Sequence, residues 1–534
     1  MHDTVSSAQH VSLQEPAVPQ RAGAILTALI LAAVVCKLNI AAGPVALPAI
    51  GEIFDSSQAM LNLVSVGAPF GLAMSVLYFG ALADHYGRKQ VLTTGLILIV
   101  VTSVFSALAP TIEMLILARV LTGLAAGMVF PTTLALITAL WADGAGRKSA
   151  IALWGAVAGM ASIAGAVIAG AVLAILPWNA SFLTSIPLAL IAIIIIVRSV
   201  PSHVKESSAP VDHVGGVLST LGIAALVLSI GFCFTPGGII IGVSLLIAAV
   251  VILGLFAWRQ TRAKNPLYDL KIARQRMFWA PAVSGFIVFG ALSGAVFISV
   301  QFMQNVLHYS ALQAGLAVLP AALGLLLAAP FAARILGSKG TRTTMLLGYI
   351  LLALAFLTML LWREHTPYWL IAIGFILIGA AVSLVSTASS SALTSTTPID
   401  RVGMASGTTD LQNDLGASIM QSLLGAVLAS GFATAAATLI SDSSRANDVT
   451  NDMMLALQSS FASAAHIASQ NPDVADNILE GARQALVYGS LSAFLLGAGA
   501  VVLGFIVVIF AVPTFAKEQE TADNPTQDAD KRVN

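Results

Sequence analysis

Four ionisable residues sit in stretches otherwise apolar enough to lie in a bilayer. Lys37 falls within "CKLNIAAGPVALP" (36–48), Arg119 within "LARVLTGLAAG" (117–127), and Asp410 and Asp414 within "TTDLQNDLGAS" (408–418). A charge in hydrocarbon is costly, so such residues face a cavity or each other and mark ion or substrate pathways. Two cations and two carboxylates balance, and a contact between Lys37 and Asp414 is one expectation from that balance. Lys37 is at least eleven residues from either end of its apolar run, more than about 15 Å of helix rise, which is too deep for its ammonium to reach the surface easily.

Asp410, Asn413, Asp414 and Gln421 follow an i, i+3, i+4, i+11 spacing, which is one face of a helix, and Gly403, Ser406 and Gly407 extend it. Burial penalises an unpaired carboxylate, and two acids one turn apart repel while both are ionised; such a place suits reversible uptake of a proton. Asp414 and Asp410 are therefore the proton-coupling candidates. The competing reading is a pair of hydrated acids near a span end, and it is stronger for Asp410. Lys37, Asn39, Gln301, Gln304 and Asn305 are candidates for the substrate cavity. The last three can equally mark the membrane exit of their helix.

The elements that must position these residues are membrane helices. The 534-residue chain is 57% hydrophobic and 9% charged, far below the about 25% of soluble domains. Apolar runs long enough to cross a bilayer are expected near 22–48, 60–81, 90–109, 112–139, 149–174, 181–198, 214–234, 237–257, 277–303, 312–333, 343–362, 367–392, 403–436 and 485–513. The expected fold is all-α and integral to the membrane: fourteen transmembrane helices in two six-helix bundles with two extra helices between them. Residues 1–21 form an N-terminal tail, 22–200 the first bundle, 213–257 the linking pair, 276–513 the second bundle with an acidic external loop at 437–484, and 514–534 a C-terminal tail.

Charge asymmetry orients this map, because cytoplasmic loops collect Lys and Arg. With the N-terminus inside, 20 of the 25 Lys and Arg fall on the cytoplasmic side, and only Arg363, Arg445 and Arg483 fall outside. Both termini are expected in the cytoplasm of a bacterial inner or plasma membrane. The zero formal net charge names no partner, and no nucleic acid is expected. Cys36 and Cys233 make neither a disulfide framework nor a metal-ligand spacing. No nucleotide-cradling loop is present, so no cofactor is expected and direct ATP drive is unsupported.

The most specific motif is "GALADHYGRK" (80–89), a tight loop between the second and third spans. Gly80 allows close helix approach, Gly87 permits a backbone angle that a side chain hinders, and Asp84 stands beside Arg88 and Lys89 as a conformational latch. Gly80, Leu82, Asp84, Gly87, Arg88 and Lys89 resemble the loop signature of the major facilitator superfamily, and the chain is similar to its fourteen-span drug:proton antiporter branch. "LARVLTGLAAG" resembles the family's fourth-helix motif, with Arg119 in the arginine position. "WNASFLTSIP" (178–187), "NPLYDLKIARQRMF" and "YSALQAGLAVLP" (309–320) resemble further stretches of that branch.

The resemblance implies a role for Arg119 in proton transfer or in organising the cavity; the plainer reading is a structural arginine bonded to backbone carbonyls. Two departures matter. The fifth-helix motif is reduced to "GAVIAG" (165–170), so Gly155, Gly159, Gly165 and Gly170 are expected mainly to permit close packing. The branch's first-helix acid is replaced by Asn39, with a cation two residues earlier.

The leading expectation is a monomeric, proton-coupled exporter of small organic or amphipathic compounds, of the multidrug efflux and antibiotic-resistance type, working by alternating access. Because Lys37 adds positive charge, neutral or anionic substrates should be tolerated. The alternative is a symporter importing an anionic metabolite held by Lys37. An intramembrane enzyme or receptor is remote, since no acid, base and nucleophile cluster appears.

Overall fold

The computed structural model describes residues 19, 21–141, 145–202, 204, 210–233, 238–397, 402–441 and 451–515. Most of both tails, Lys205, Arg401 and residues 442–450 of the acidic loop lie outside the described residues. So do the side chains of Lys148, Gly403 and Ser406. Eighteen α-helices follow one another: α1 (Ala22–Phe54), α2 (Gln58–Tyr86), α3 (Arg88–Ala107), α4 (Ile112–Leu140), α5 (Ala145–Leu173), α6 (Ala180–Leu183), α7 (Ile186–Ser199), α8 (His213–Cys233), α9 (Ile239–Arg262), α10 (Leu270–Ala273), α11 (Arg276–Asn305), α12 (Ala311–Ala317), α13 (Leu319–Met359), α14 (Tyr368–Ser395), α15 (Val402–Ser441), α16 (Asn451–Ser459), α17 (Phe461–Gln470) and α18 (Ala475–Ala511). An all-helical chain is what lipid demands, since an unpaired backbone group has no water there to satisfy it.

Thirteen helices among the described residues are long and apolar enough to cross a membrane. The runs expected at 312–333 and 343–362 fall together in one 49-residue stretch, Ala311–Met359. That stretch is broken at Gly340, whose φ of 77° and ψ of 178° are non-helical; glycine meets no Cβ clash at that angle. Gly87 does the same between α2 and α3 at φ 111°. Three other starts are capped by side chains: Ser57 accepts from Met60 N, Thr111 from Met114 N, and Ser310 with Gln313 closes a reciprocal capping box.

The outward surface is itself apolar: Ile240, Val250, Leu327 and Phe510 are all exposed. In water such a surface would drive aggregation; in a bilayer it is the solvent-facing side. Inside, small residues let helices touch. A Cβ at Gly71 would sit 2.2 Å from Val120 O, and one at Gly123 would sit 2.1 Å from Ala68 O, so α2 and α4 meet backbone to backbone.

The contacts between the first half of the chain (α1–α7) and the second (α11–α18) define two ends. At the end where α1 stops and α2 begins, α17 lies across both halves, with Ala462 against Gly51; this is called the cap end. The opposite end carries the α2–α3 turn and is called the latch end. Hydrogen bonds joining the halves gather toward the cap end. Gln58 Nε2 donates to Gln301 Oε1 at 2.8 Å, Gln304 Nε2 to Val45 O at 3.3 Å, and Asn62 Nδ2 to Ser422 O at 3.2 Å.

The face of α5 that carries Gly155, Gly159, Ala166 and Gly170 makes the asymmetry plain. Near the cap end it touches α12 directly: a Cβ on Gly170 would lie 2.5 Å from Ala311 O, and one on Gly315 would lie 2.6 Å from Ala166 O. Toward the latch end, Gly155 and Gly159 have nothing within 4 Å. Close packing at these two glycines, expected from sequence, is not found among the described residues. Gly165 does pack closely, against Ala41 and Leu38 of α1.

Candidate functional site

Lys37 of α1 and Asp414 of α15 meet in the interior, Nζ to Oδ1 at 3.7 Å. The helix that carries Lys37 contains Pro44 and Pro48, each of which removes one backbone donor from the helix interior. The ammonium lies over the face of Phe130 of α4, 4.1 Å from the ring centroid, a favourable placement for a desolvated cation. Phe130 leans on Trp154 of α5 at 5.2 Å between ring centroids, and the indole Nε1 is fixed by a 3.0 Å bond to Thr133 Oγ1.

Asp414 is 5% exposed. Its Oδ2 and the Asn413 Oδ1 are buried with no hydrogen-bond partner among the described residues. Asp410, also buried, is within electrostatic reach of both Asp414 and Lys37. Gln421, farther along the same face, donates to Ser65 Oγ of α2 and accepts from Ser293 Oγ of α11 at 2.8 Å. The α15 stripe thus runs from a charged segment to a neutral segment that pins the two halves together.

Arg119 is fully buried but makes no ion pair that the structure records. Its Nη2 donates to Asn39 O at 2.7 Å, and the guanidinium stands 5.0 Å from the Phe182 ring. Its Nε and Nη1 lack partners among the described residues. Room for it comes from glycine: a Cβ at Gly67 would lie 2.9 Å from the Arg119 Cβ, and one at Gly43 would lie 3.2 Å from Nη2. The Asn39 side chain is committed to the packing of the first half. It donates to Val35 O at 3.0 Å and Ser185 Oγ at 2.7 Å, and it accepts from Ser103 Oγ at 3.3 Å. Asn39 thus shares a helix with Lys37 but its amide is bound elsewhere.

Gln301 and Asn305 are brought to a different place. With Pro48, Glu52, Gln58 and Phe461 they line a cavity of about 20 Å³ at the cap end, about the space one water needs. Gln301 Nε2 is buried there without a partner among the described residues. Gln304 lies beside it, tied to α1 through Val45 O. The latch residues form a third cluster within the first half. Arg88 holds Asp84 Oδ1 through Nε and Nη2, both at 2.8 Å, and reaches Ala135 O at 3.3 Å, while Lys89 Nζ caps Val197 O at 2.9 Å and Val200 O at 2.7 Å. Gly80, expected to allow close helix approach, instead faces open space, with nothing within 4 Å of a Cβ built there.

Phe130 and Trp154 were not anticipated. A signal existed for the first: it lies eleven residues after Arg119, on the same face of α4.

The major facilitator superfamily model matches residues 29–420. The chain is 30% identical over 389 residues to the multidrug resistance protein Stp of Mycobacterium tuberculosis, covering 72% of each chain. It is 29% identical over 410 residues to the multidrug efflux pump LfrA of Mycolicibacterium smegmatis, covering 77% of this chain and 81% of that one. Among solved structures, a bacterial homologue of the human lysosomal transporter Spinster, inward-facing and unoccupied, superposes with a TM-score of 0.59 at 16% identity, over 91% of this chain and 97% of that one. Carrying the superfamily's motifs and helical fold along most of its length, the chain belongs to the major facilitator superfamily.

Proposed function

We propose that this protein is a secondary active transporter that exports small organic or amphipathic compounds in exchange for protons, a multidrug-type efflux pump of the cell membrane. Its similarity to a multidrug resistance protein and a multidrug efflux pump supports export of drugs. The Lys37–Asp414 pair supports the mechanism, because it is a titratable contact between the two halves that alternate. With Asp414 ionised, two unit charges 3.7 Å apart at an effective dielectric of about 20 attract by about 4 kcal/mol before desolvation is counted. Protonating Asp414 removes that attraction and frees the halves to rearrange around the cavity. A gap of this size can move a two-state equilibrium by up to about a thousandfold. Asp410 stands as a second acceptor one turn away, and Arg119 organises the first half around α1.

The membrane arrangement follows the same reading. A straight 49-residue helix would be about 74 Å long at 1.5 Å per residue, more than twice the hydrocarbon thickness of about 30 Å. We therefore read Ala311–Met359 as two spans folded back at Gly340, for fourteen spans in two six-helix bundles plus α8 and α9. The charge map then puts the latch end in the cytoplasm with both termini, and the cap end with its 437–484 segment outside. The functional unit is a monomer.

Inverted membrane vesicles with an acid interior test the exchange. Adding a substrate such as a lipophilic dye should make protons leave the lumen as the dye enters, read as dequenching of a pH-sensitive acridine. Protons moving with the substrate in the same direction would overturn antiport and favour the import reading.

A further inference from the structure

The extra pair α8–α9 spans the seam between the two halves on one side of the molecule. Ile223 and Val227 of α8 pack with Val66 and Phe70 of α2 and with Leu411 and Leu415 of α15. This apolar contact runs alongside a chain of polar ones near the latch end. In the first half, Tyr78 OH of α2 bonds His213 Nδ1 at 3.0 Å, and its ring presses on the backbone at Gly216, where a Cβ would sit 2.1 Å away. Next to His213, the buried Asp212 accepts from Gly215 N, Arg259 Nε and Gln260 Nε2, each at 3.1 Å. Gln260 Oε1 in turn accepts from Tyr268 N at 3.1 Å. In the second half, the Tyr268 side chain bonds Thr408 of α15, and its ring meets Phe278 edge-on at 6.4 Å. Burial raises the Tyr268 hydroxyl above its ordinary range, with the Thr408 bond opposing, so the phenol keeps its proton at neutral pH. Thr408 lies two residues before Asp410 and six before Asp414.

We infer that α8, α9 and the segment to Tyr268 form a tether between α2 and α15 that stabilises the conformation in which the halves stand apart at the latch end. Tyr78 and Tyr268 are positioning residues in this tether. Its links are in series: α2 to α8 through Tyr78 and His213, α8 to α9 through Asp212 and Gln260, and α9 to α15 through Gln260, Tyr268 and Thr408. The apolar contacts of α8 with α2 and α15 run parallel to these polar links and are the same in every variant, so among the polar links one broken bond leaves the rest transmitting nothing. Breaking either end should therefore have the same effect, and breaking both should add nothing. On the α5 side, a Cβ at Gly155 or Gly159 would meet nothing within 4 Å among the described residues. The inference rests on the alternating-access reading but needs no substrate, so it can fail independently of drug export.

The test is a double-mutant cycle on the full chain. Spin labels placed by Ser149→Cys on α5 and Ser338→Cys on α13, both exposed, with Cys233→Ala and the buried Cys36 retained, report latch-end separation by pulsed electron spin resonance. Tyr78→Phe and Tyr268→Phe each remove one hydroxyl and keep the ring, so folding is spared. Each should lower the ratio of wide to narrow separations by up to about fivefold, the factor of one neutral hydrogen bond, and the double variant should match the singles. Unchanged ratios, an effect from only one of the two, or additive effects would overturn the tether.

Discussion

Replacing Lys37 by alanine takes away the ammonium 3.7 Å from Asp414 Oδ1, and since Oδ2 is already unpaired the buried acid must either stand as an uncompensated charge or take up a proton. The Coulomb attraction lost is about 4 kcal/mol at an effective dielectric of about 20, and breaking a buried pair from one side typically costs about 3–5 kcal/mol because the remaining charge is uncompensated. Lys37→Ala should therefore lower thermal stability in detergent and slow transport. Asp414→Asn should do less harm to stability, since the remaining ammonium still lies over Phe130. Lys37→Ala with Asp414→Asn removes both charges, so stability should return close to that of the unaltered protein, with a favourable coupling of about 2–4 kcal/mol between the two changes. The assay is the midpoint of thermal aggregation of purified protein, measured for all four forms. Additive losses in the double variant would refute the pairing and with it the bridge between the halves.

Four further outcomes follow from particular contacts. Gly170→Leu should abolish transport while Gly159→Ala is tolerated, because the first Cβ meets Ala311 O at 2.5 Å and the second meets open space; equal dye efflux from the two would contradict this difference in packing. Gln301→Leu removes the Gln58 bond and the buried, unpaired Nε2, and should raise substrate-independent proton leak through reconstituted protein; an unchanged leak would show that the cap end is sealed by other contacts. Arg88→Ala breaks its bonds to Asp84 and Ala135 O, a partly exposed set worth about 1 kcal/mol, so turnover should fall several-fold with little change in the amount inserted. Phe130→Leu should weaken transport of aromatic substrates more than Phe130→Tyr, since only the latter keeps a π-face under Lys37; identical dye efflux by the two would argue against the ring's role.

How much of this was legible in the sequence depended on rarity. In a chain with 9% charged residues, four ionisable side chains within apolar runs stand out, and charge balance brings Lys37 and Asp414 together despite their distance along the chain. The loop motif is equally plain, since Asp84, Arg88 and Lys89 act within one turn and two neighbouring helix ends. Facing was not legible. In water the apolar side of a helix points to the core; in a bilayer both sides are apolar, and the pattern that tells inside from outside fades. Asn39 could therefore be assigned to the cavity, although its amide is held by Ser103 and Ser185. Gly155 and Gly159 could likewise be assigned to a packed interface, whereas the contact is made farther along that face, at Ala166 and Gly170. The break at Gly340 was legible as the gap between two apolar runs, and the non-helical backbone there separates two helices. The place of α8 over the α2–α15 seam, and of α17 over the cap end, depends on tertiary contacts that no local period encodes.

The most direct measurement is drug-driven proton exchange by purified protein in liposomes, compared with Asp414→Asn inserted to the same level. An outward-directed substrate flux should move protons the other way in the unaltered protein, and the variant should show no substrate-dependent proton movement while still binding the substrate. Full exchange by Asp414→Asn with an unchanged pH profile would remove Asp414 from the mechanism and contradict the account.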